Sequence, residues 1–329
     1  MNRLQDLQHA VEDESSTLPT KASSYSGKNF LTAHRDSILD EDEQMCQDLI
    51  AYDCTTPQGT IFDNKAFAYL KDRMHERNET AVLVLLSQVL VPSAEIEHRR
   101  GRVALPGFID SFNEPWTGWI PLGADTESLQ MKQQSVKHQL PRPQPDYSVG
   151  FLEDAFGKIR MTTLAPFLGD LGSSAYKGTL DMLFPFFTSE AKSAKRTLLE
   201  ADHQNAHSMT CALRGVVRLF QLVKREKYLH QRILGFSVDY HRYEVNNFSF
   251  TTQNGRDRET CYKFVMAMYN DWVPKHFERL CSPIDQLPVF DVDVDVDADG
   301  SGSGDAADTA AAAGALGGAG PFGAAASGS

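Results

Sequence analysis

Hydrophobic residues in the middle of the chain follow helical spacing in some stretches and form short apolar runs in others. Helical spacing predicts helices over residues 64–75, 194–227 and 258–280. Short apolar runs predict strands over residues 147–151, 183–188, 233–238 and 243–250, while the run 81–91 fits either a buried strand or a short helix. Strands with helices before, between and after them predict one α/β (α+β) domain.

Two stretches depart from this regular pattern. Residues 106–123 mix Pro, Gly and Trp without either period, which predicts an irregular segment. Trp272, Pro274 and His276 fall near the predicted end of the last helix, where a proline kinks or ends a helix. We expect Trp272 to pack on the core.

Both ends of the chain differ in composition from the middle. Residues 1–42 are rich in Ser, Thr, Asp and Glu, and residues 291–329 pass from alternating aspartates into a Gly/Ala/Ser run. Such segments bury too little apolar surface to fold. We therefore predict a disordered acidic N-terminal segment, a folded domain over residues 43–290 and a disordered tail.

The formal net charge of −12 belongs to these ends. Residues 1–43 carry four bases against nine acids, and from Asp291 onward there are seven aspartates and no base. The remaining 28 bases and 28 acids balance within the middle of the chain. Net charge therefore leaves nucleic acid open as a partner of the domain, although it weakens any expectation of tight nonspecific binding.

Several sequence features are absent, and their absence argues against some classes of protein. The apolar run 81–91 is far below the roughly 20 residues that a membrane helix needs, and the N-terminus has no apolar signal core. Five scattered cysteines without a CxxC pair are typical of reduced thiols. We predict an intracellular protein of the nucleus or cytoplasm, not secreted and without membrane contact. No glycine-rich nucleotide loop is present, so we expect no small-molecule cofactor.

Charged residues at the end of one apolar strand suggest chemistry. Thr188, Glu190 and Lys192 share a strand face, because residues two apart face the same way. Asp146, just before the 147–151 strand, could add a second carboxylate from a neighbouring strand. Two carboxylates suit Mg²⁺ or Mn²⁺, and a lysine beside the metal could orient the attacking water. The alternative is an edge-strand salt bridge between Glu190 and Lys192.

Longer motifs surround these residues. They are PRPQPDYSVGF over residues 141–151, FPFFTSEAK over 184–192, ADHQNAHS over 201–208 and the run from Trp272 to Pro288. Together they resemble a large fungal family of uncharacterised proteins that is itself similar to the PD-(D/E)xK nuclease superfamily. The resemblance spans about residues 45–288.

The resemblance implies a restriction-endonuclease-like αβββαβ core with an N-terminal helical extension. It implies that Asp146 and Glu190 are metal ligands, helped by the Ala191 carbonyl, and that Lys192 is the catalytic lysine of a Mg²⁺- or Mn²⁺-dependent nucleic-acid phosphodiesterase. The insert 152–180 is longer than in compact nucleases. The alternative is a catalytically silent nuclease-fold protein with a binding or regulatory role, which the neutral domain and the lack of a basic groove signal favour.

The long predicted helix carries a basic stripe. On a helical projection Arg218, Arg225, His203 and His207 lie close to Arg214, opposite an apolar arc. The arginines either contact a phosphate backbone or form a solvated face. The two histidines have the spacing of a zinc pair but no apparent third ligand.

Asn205 falls on the apolar arc of the same helix, with Gln204 at its boundary. An unsatisfied amide there would be costly. Asn205 is therefore either a buried structural hydrogen-bonder or a residue directed at the strand end of Glu190 and Lys192. Either amide could support the site.

Overall fold

The structure is a computed structural model, and it describes residues 38–73, 77–117, 141–169, 174–192, 198–241, 244–245, 248–249 and 258–288. The predicted tail 291–329 lies outside these residues, as does residue 37 and everything before it. Helix α1 begins at Asp40 and buries Asp42, so the folded region starts earlier than the predicted residue 43.

The described residues form a mixed α/β fold, as predicted. The helices are α1 (Asp40–Ala51), α2 (Asn64–Arg73), α3 (Glu79–Leu90), α4 (Ala94–Arg99), α5 (Glu153–Leu164), α6 (Leu198–Leu222), α7 (Thr260–Ala267) and α8 (Val273–Ile284). The strands are β1 (Phe108–Ser111), β2 (Tyr147–Phe151), β3 (Leu183–Lys192), β4 (Phe236–His241), β5 (Glu244–Val245) and β6 (Phe248–Ser249).

All six strands form one mixed sheet in the order β1-β2-β3-β4-β5-β6. Strands β1, β2 and β3 pair antiparallel, and β4 pairs parallel with β3 after the long helix α6. The C-terminal ends of β3 and β4 therefore lie next to each other, and β2 begins at the same end of the sheet. The strands β5 and β6, of two residues each, extend the sheet beyond β4.

Helical layers cover both faces of this sheet. A side chain at Gly235 would meet Met209 of α6, whereas the next residue, Phe236, packs against Trp272 at 4.9 Å between ring centroids. Consecutive residues of an extended chain face opposite sides. Helix α6 thus lies on one face, and the segment around Trp272 lies on the other.

A bulge in β3 sets the register between β2 and the C-terminal half of β3. Val149 pairs with Phe187 and Phe151 with Leu183, so residues 184–186 oppose only Gly150. A Cβ atom at Gly150 would lie 2.8 Å from the Leu183 carbonyl oxygen, so this position requires glycine. Beyond the bulge the ladder is regular, and Tyr147 pairs with Ser189.

Several local predictions need correction. Strand β1 lies inside residues 106–123, which were predicted to be irregular. No element was predicted within the insert 152–180, where helix α5 lies, with a kink at Gly157 whose φ is 73°. Residues 79–90 form a helix, which decides between the two predictions for the run 81–91.

The C-terminal helix also differs from its prediction. A π-helical turn, Met268–Trp272, joins α7 to α8, and the helix continues to Ile284. Pro274 therefore lies in the first turn of α8, directly after the π-helical turn. Trp272 is buried, and the buried His276 ring stacks on it at 4.5 Å between centroids. These residues lie at the middle of the helical segment, not at its end.

Hydrogen bonds join the N-terminal helix α1 to the segment just before β4. Asp42 Oδ1 accepts a hydrogen bond from Arg232 Nη1 at 2.8 Å, and its Oδ2 accepts one from the Ile233 amide at 2.6 Å. Another contact joins Lys263 to Asp53 at 2.8 Å. The two ends of the described chain are thereby packed together.

Neither a membrane helix nor a disulfide is part of the described fold. Its helices are all too short or too polar to cross a bilayer. The five cysteines all lie in the described ranges as free thiols. Burial raises the pKa of the Cys261 thiol to about 12, so this thiol stays protonated at neutral pH.

Candidate active site

The structure brings Asp146 to the end of β3. Its Oδ2 atom accepts a hydrogen bond from the Ala191 amide at 2.8 Å. That amide belongs to the peptide that follows Glu190. The pairing of Tyr147 with Ser189 puts Asp146 and Glu190 at the same level of the antiparallel ladder. The two carboxylate residues predicted from the sequence therefore lie side by side.

Glu190 and Lys192 form the salt bridge that was the alternative to a metal site, but β3 is a central strand and not the edge strand of that alternative. Lys192 Nζ lies 3.0 Å from Glu190 Oε2, and both side chains are only about 3–4% exposed. A buried ion pair is stable only with close geometry and further hydrogen bonds, because both charges lose water. The charged end of β3 is thus part of the interior of the protein.

A third carboxylate, which the sequence analysis missed, joins them from β4. Asp239 pairs with Glu190 in the parallel ladder, so both project from the same face of the sheet, and Asp239 is 3% exposed. The available signal was an aspartate directly after the predicted strand 233–238. Asp146, Glu190 and Asp239 together with Lys192 carry a formal charge of −2 when all four are ionised.

Asn205 of α6 covers the same face. Thr188 Oγ1 donates a hydrogen bond to Asn205 Oδ1 at 2.8 Å, and Asn205 is 1% exposed. Its amide nitrogen is buried and has no hydrogen-bond partner among the described residues. Asn205 is therefore a buried hydrogen-bonder, as the first predicted alternative requires, and its partner Thr188 lies two residues before Glu190 on β3. Gln204 is exposed.

Tyr240 lies on β4 next to Ala191 in the ladder. Burial raises the pKa of its phenol well above the usual value, and the nearby Asp146 carboxylate raises it further. The hydroxyl is buried and makes no hydrogen bond within the part of the chain that the structure describes. Tyr240 thus stays protonated, and its side chain projects from the face of the sheet opposite to Glu190 and Asp239.

The predicted basic stripe of the long helix is only partly present. Arg214 and Arg218 lie on α6 and are half-buried. The chain around Ala175 covers this side so closely that a Cβ at Gly215 would lie 2.3 Å from the Ala175 carbonyl oxygen. Arg225 does not belong to the stripe, because α6 ends at Leu222. Its guanidinium contacts Ser282 of α8 instead.

The two predicted histidines do not come together with a third ligand. His207 Nε2 donates to the Pro141 carbonyl at 2.8 Å, and burial lowers the pKa of its ring, while His203 is exposed. In the part of the chain that the structure describes, no group of three His, Cys, Asp or Glu side chains is placed to hold a metal. A metal at the β3 end would use Asp146, Glu190 and the Ala191 carbonyl, which are the oxygen ligands that Mg²⁺ prefers.

Comparison with protein families identifies the domain. A model described as a domain of unknown function, DUF7924, matches residues 66–240 and 238–284. The chain belongs to the DUF7924 family. Asp146, Glu190, Lys192 and Asp239 all lie within this DUF7924 domain. Searches of curated proteins and of solved structures gave no match. The predicted fungal family and the link to the PD-(D/E)xK superfamily stay predictions.

Proposed function

We propose that this DUF7924 domain is a Mg²⁺- or Mn²⁺-dependent nucleic-acid phosphodiesterase of the PD-(D/E)xK type. One observation carries the proposal: the carboxylate of Asp146 reaches the Ala191 amide, between Glu190 and Lys192. The three residues that the superfamily motif requires thus lie at one strand end.

The order of elements supports the same proposal. A helix, three antiparallel strands, a long helix and a parallel fourth strand follow one another, as a restriction-endonuclease-like core requires. Helix α5, between β2 and β3, is an addition to that core. It does not separate Asp146 from Glu190, because the bulge at residues 184–186 restores the register of the two strands.

Each residue has a chemical task in this proposal. Asp146, Glu190 and the Ala191 carbonyl would hold the cation, which supplies Lewis-acid chemistry at a phosphodiester when bound. Lys192 holds the attacking water and offsets the negative charge that develops on the phosphate. The buried amide of Asn205 offers a donor on the same face of β3.

Charge and burial also support a divalent cation. The formal charge of −2 on Asp146, Glu190, Asp239 and Lys192 equals in size the charge of Mg²⁺. Buried carboxylates are retained when they are paired or coordinate a metal. Asp239 is the additional acid, and its position beside Glu190 strengthens the negative field at the strand end.

A catalytically silent binding protein is the second candidate, and one observation favours it. The Lys192 ammonium contacts the Glu190 carboxylate at 3.0 Å and both groups are almost fully buried. A lysine held in this way stabilises the strand end without contacting a substrate. The same fold would then serve only for binding or regulation.

An activity assay distinguishes the two candidates. Purified protein is incubated with Mg²⁺ or Mn²⁺ and single- or double-stranded DNA and RNA, in parallel with Asp146→Asn and Lys192→Met. We expect metal-dependent cleavage by the wild type and a loss of roughly 100- to 1000-fold in each variant, because each removes a charge at the reacting centre. The matched controls are Asp154→Asn and Lys158→Met, whose side chains are exposed on α5.

Folding must be separated from chemistry in this assay. Circular dichroism and thermal unfolding show whether each variant is folded, and calorimetric titration with Mn²⁺ measures cation binding directly. Asp146→Asn keeps the shape of the side chain and should lose Mn²⁺ affinity while remaining folded. Absence of cleavage on every substrate, together with absence of Mn²⁺ binding by the folded wild type, would establish the silent protein instead.

A further inference from the structure

A second polar site lies near the C-terminal end of α6, away from the carboxylates. A cavity of about 270 Å³ opens between this helix end, the 3₁₀ turn Glu226–Leu229 and helix α8. Its lining consists of Phe220, Arg225, Tyr228, Arg232, Arg279 and Ser282. Three of these six residues are arginines.

The cavity and the candidate active site lie at opposite ends of β4. Arg232 precedes this strand, whose first residue, Phe236, pairs with Phe187. Asp239 and the C-terminal end of the strand lie with Glu190. A strand of six residues spans roughly 20 Å at about 3.3 Å per residue. The cavity is therefore a separate site.

The guanidinium groups are held in place before any ligand arrives. Arg225 Nη1 donates to Ser282 Oγ at 3.0 Å, and the Arg225 guanidinium lies 4.5 Å from the centre of the Tyr228 ring. Arg279 Nη1 donates to the Ile233 carbonyl at 3.3 Å. Each guanidinium carries five N–H donors, so further donors remain for a ligand.

The charges in the cavity are not balanced by the neighbouring acids. Arg232 is paired with Glu41 at 2.9 Å and with Asp42 at 2.8 Å. Neither Arg225 nor Arg279 forms an ion pair with a carboxylate among the residues that the structure describes. Burial lowers the pKa of the Arg279 guanidinium; Arg232 adds to this, and Asp42 opposes it. An anion between these groups would relieve the repulsion.

We propose that this cavity binds the phosphate group of a small phosphorylated molecule, or free phosphate. Arg225 and Arg279 hold the phosphate oxygens, and Arg232, fixed by Asp42, supplies the third guanidinium. Arginine forks match the geometry of phosphate and form charge-assisted bonds to it. Three converging guanidiniums exceed what the two oxygens of a single carboxylate can use, whereas a phosphate presents three or four oxygens.

Binding is measured on the full chain without reference to cleavage. Calorimetric titration and thermal unfolding are carried out with inorganic phosphate, a nucleoside monophosphate and acetate at constant ionic strength. We expect phosphate to bind and to raise the melting temperature, since a ligand of the folded state stabilises it. A nucleoside monophosphate that binds more tightly than free phosphate identifies a phosphate ester as the ligand, and equal or weaker binding identifies free phosphate.

Variants assign the binding to the arginines. Arg279→Gln and Arg225→Gln should each weaken phosphate binding at least tenfold, whereas Lys227→Gln removes an exposed positive charge beside the cavity and should leave it unchanged. Arg279→Lys serves as a second variant if Arg279→Gln does not fold. The proposal is overturned if the wild type binds none of the phosphates, if acetate binds as well as phosphate, or if the control weakens binding equally.

Discussion

The two ends of the β3–β4 pair carry opposite charges in opposite surroundings. At the C-terminal end, Glu190, Lys192 and Asp239 are almost fully buried and carry an excess of negative charge. At the other end, Arg225 and Arg279 border an open cavity with an excess of positive charge. The long helix α6 contributes to both sites, through Asn205 at the first and Phe220 at the second.

This separation of opposite charges explains why the net charge of the domain does not predict which ligands it binds. A neutral domain can carry two concentrated charges of opposite sign, provided that they are far enough apart not to cancel. Their strengths differ as well, because a charge in a dry interior is screened far less than one at a solvent-filled cavity. The acidic end is therefore suited to holding a cation tightly, and the basic end to exchanging an anion.

The largest expected difference between the two ends is in stability. Lys192→Met leaves the buried Glu190 carboxylate without its partner and should lower the free energy of unfolding by about 3–5 kcal/mol. Arg279→Met removes one long hydrogen bond at the cavity and should lower it by only about 1 kcal/mol. Urea unfolding at pH 7 measures both. Similar losses of unfolding free energy in the two variants would mean that both ends exclude water to the same degree.

The double variant Glu190→Leu/Lys192→Met is the control for that comparison. Replacing both members of a buried pair by apolar side chains is often neutral. We therefore expect the double variant to recover most of the stability that Lys192→Met loses. Failure to recover it would show that Asp146 and Asp239 depend on the pair.

An effect of intermediate size is expected in the pH dependence of the free energy of unfolding. It arises from His276, which lies one turn before Arg279 on α8. Burial, together with the smaller effect of the Arg279 guanidinium, lowers the pKa of His276 to about 3. The unfolded chain takes up the proton near pH 6.5 and the folded chain does not, so stability is full above that pH and is lost as pH falls. Between pH 6.5 and pH 4 this amounts to about 3 kcal/mol.

Comparison of the wild type with His276→Phe isolates this term. Urea unfolding at pH 7 and pH 4 should show about 3 kcal/mol more acid loss in the wild type than in the variant. Equal losses would mean that water reaches His276 from the cavity side, and the boundary between dry core and open cavity would then lie deeper than Arg279.

The smallest expected effect is that of salt. Raising sodium chloride from 50 to 500 mM should weaken phosphate binding at the cavity severalfold, because exposed charges are screened. The destabilisation caused by Lys192→Met should change by less than about 0.5 kcal/mol, since that pair is buried. Titration calorimetry and urea unfolding at both salt concentrations provide the two numbers. A salt-independent phosphate affinity would contradict the open nature of the cavity.

Local sequence pattern predicted β2 and β3 but missed shorter or interrupted elements. Strand β1 has four residues whose burial does not alternate, and it follows Pro106 and Gly107. Helix α5 contains Gly157 at φ 73°, a break that hides its period. In the C-terminal helix a π turn shifts the phase at residues 268–272, and single-period reasoning has no means to foresee it.

The candidate sites show the same limit. The placement of Asp146 beside Glu190 followed from two strands and an assumed pairing, and the structure supplies the pairing. Asp239 was missed because its partner in the ladder is 49 residues away, across the whole of α6. The arginine cavity was missed for a similar reason: Arg225 was assigned to a helix face, and only the packing of α8 brings Arg279 to it.

The bond between Asp42 and Arg232 has a consequence during synthesis. These residues are 190 positions apart, so helix α1 leaves the ribosome long before its anchor exists. At about 5–20 residues per second the delay is roughly 10 to 40 s. Through that interval Glu41 and Asp42, in the acidic first turn of α1, remain without the guanidinium that later pairs with them. The domain therefore cannot finish folding until its C-terminal half has been synthesised. A nascent chain that stalls before Arg232 lacks both the anchor of α1 and one of the three arginines of the cavity.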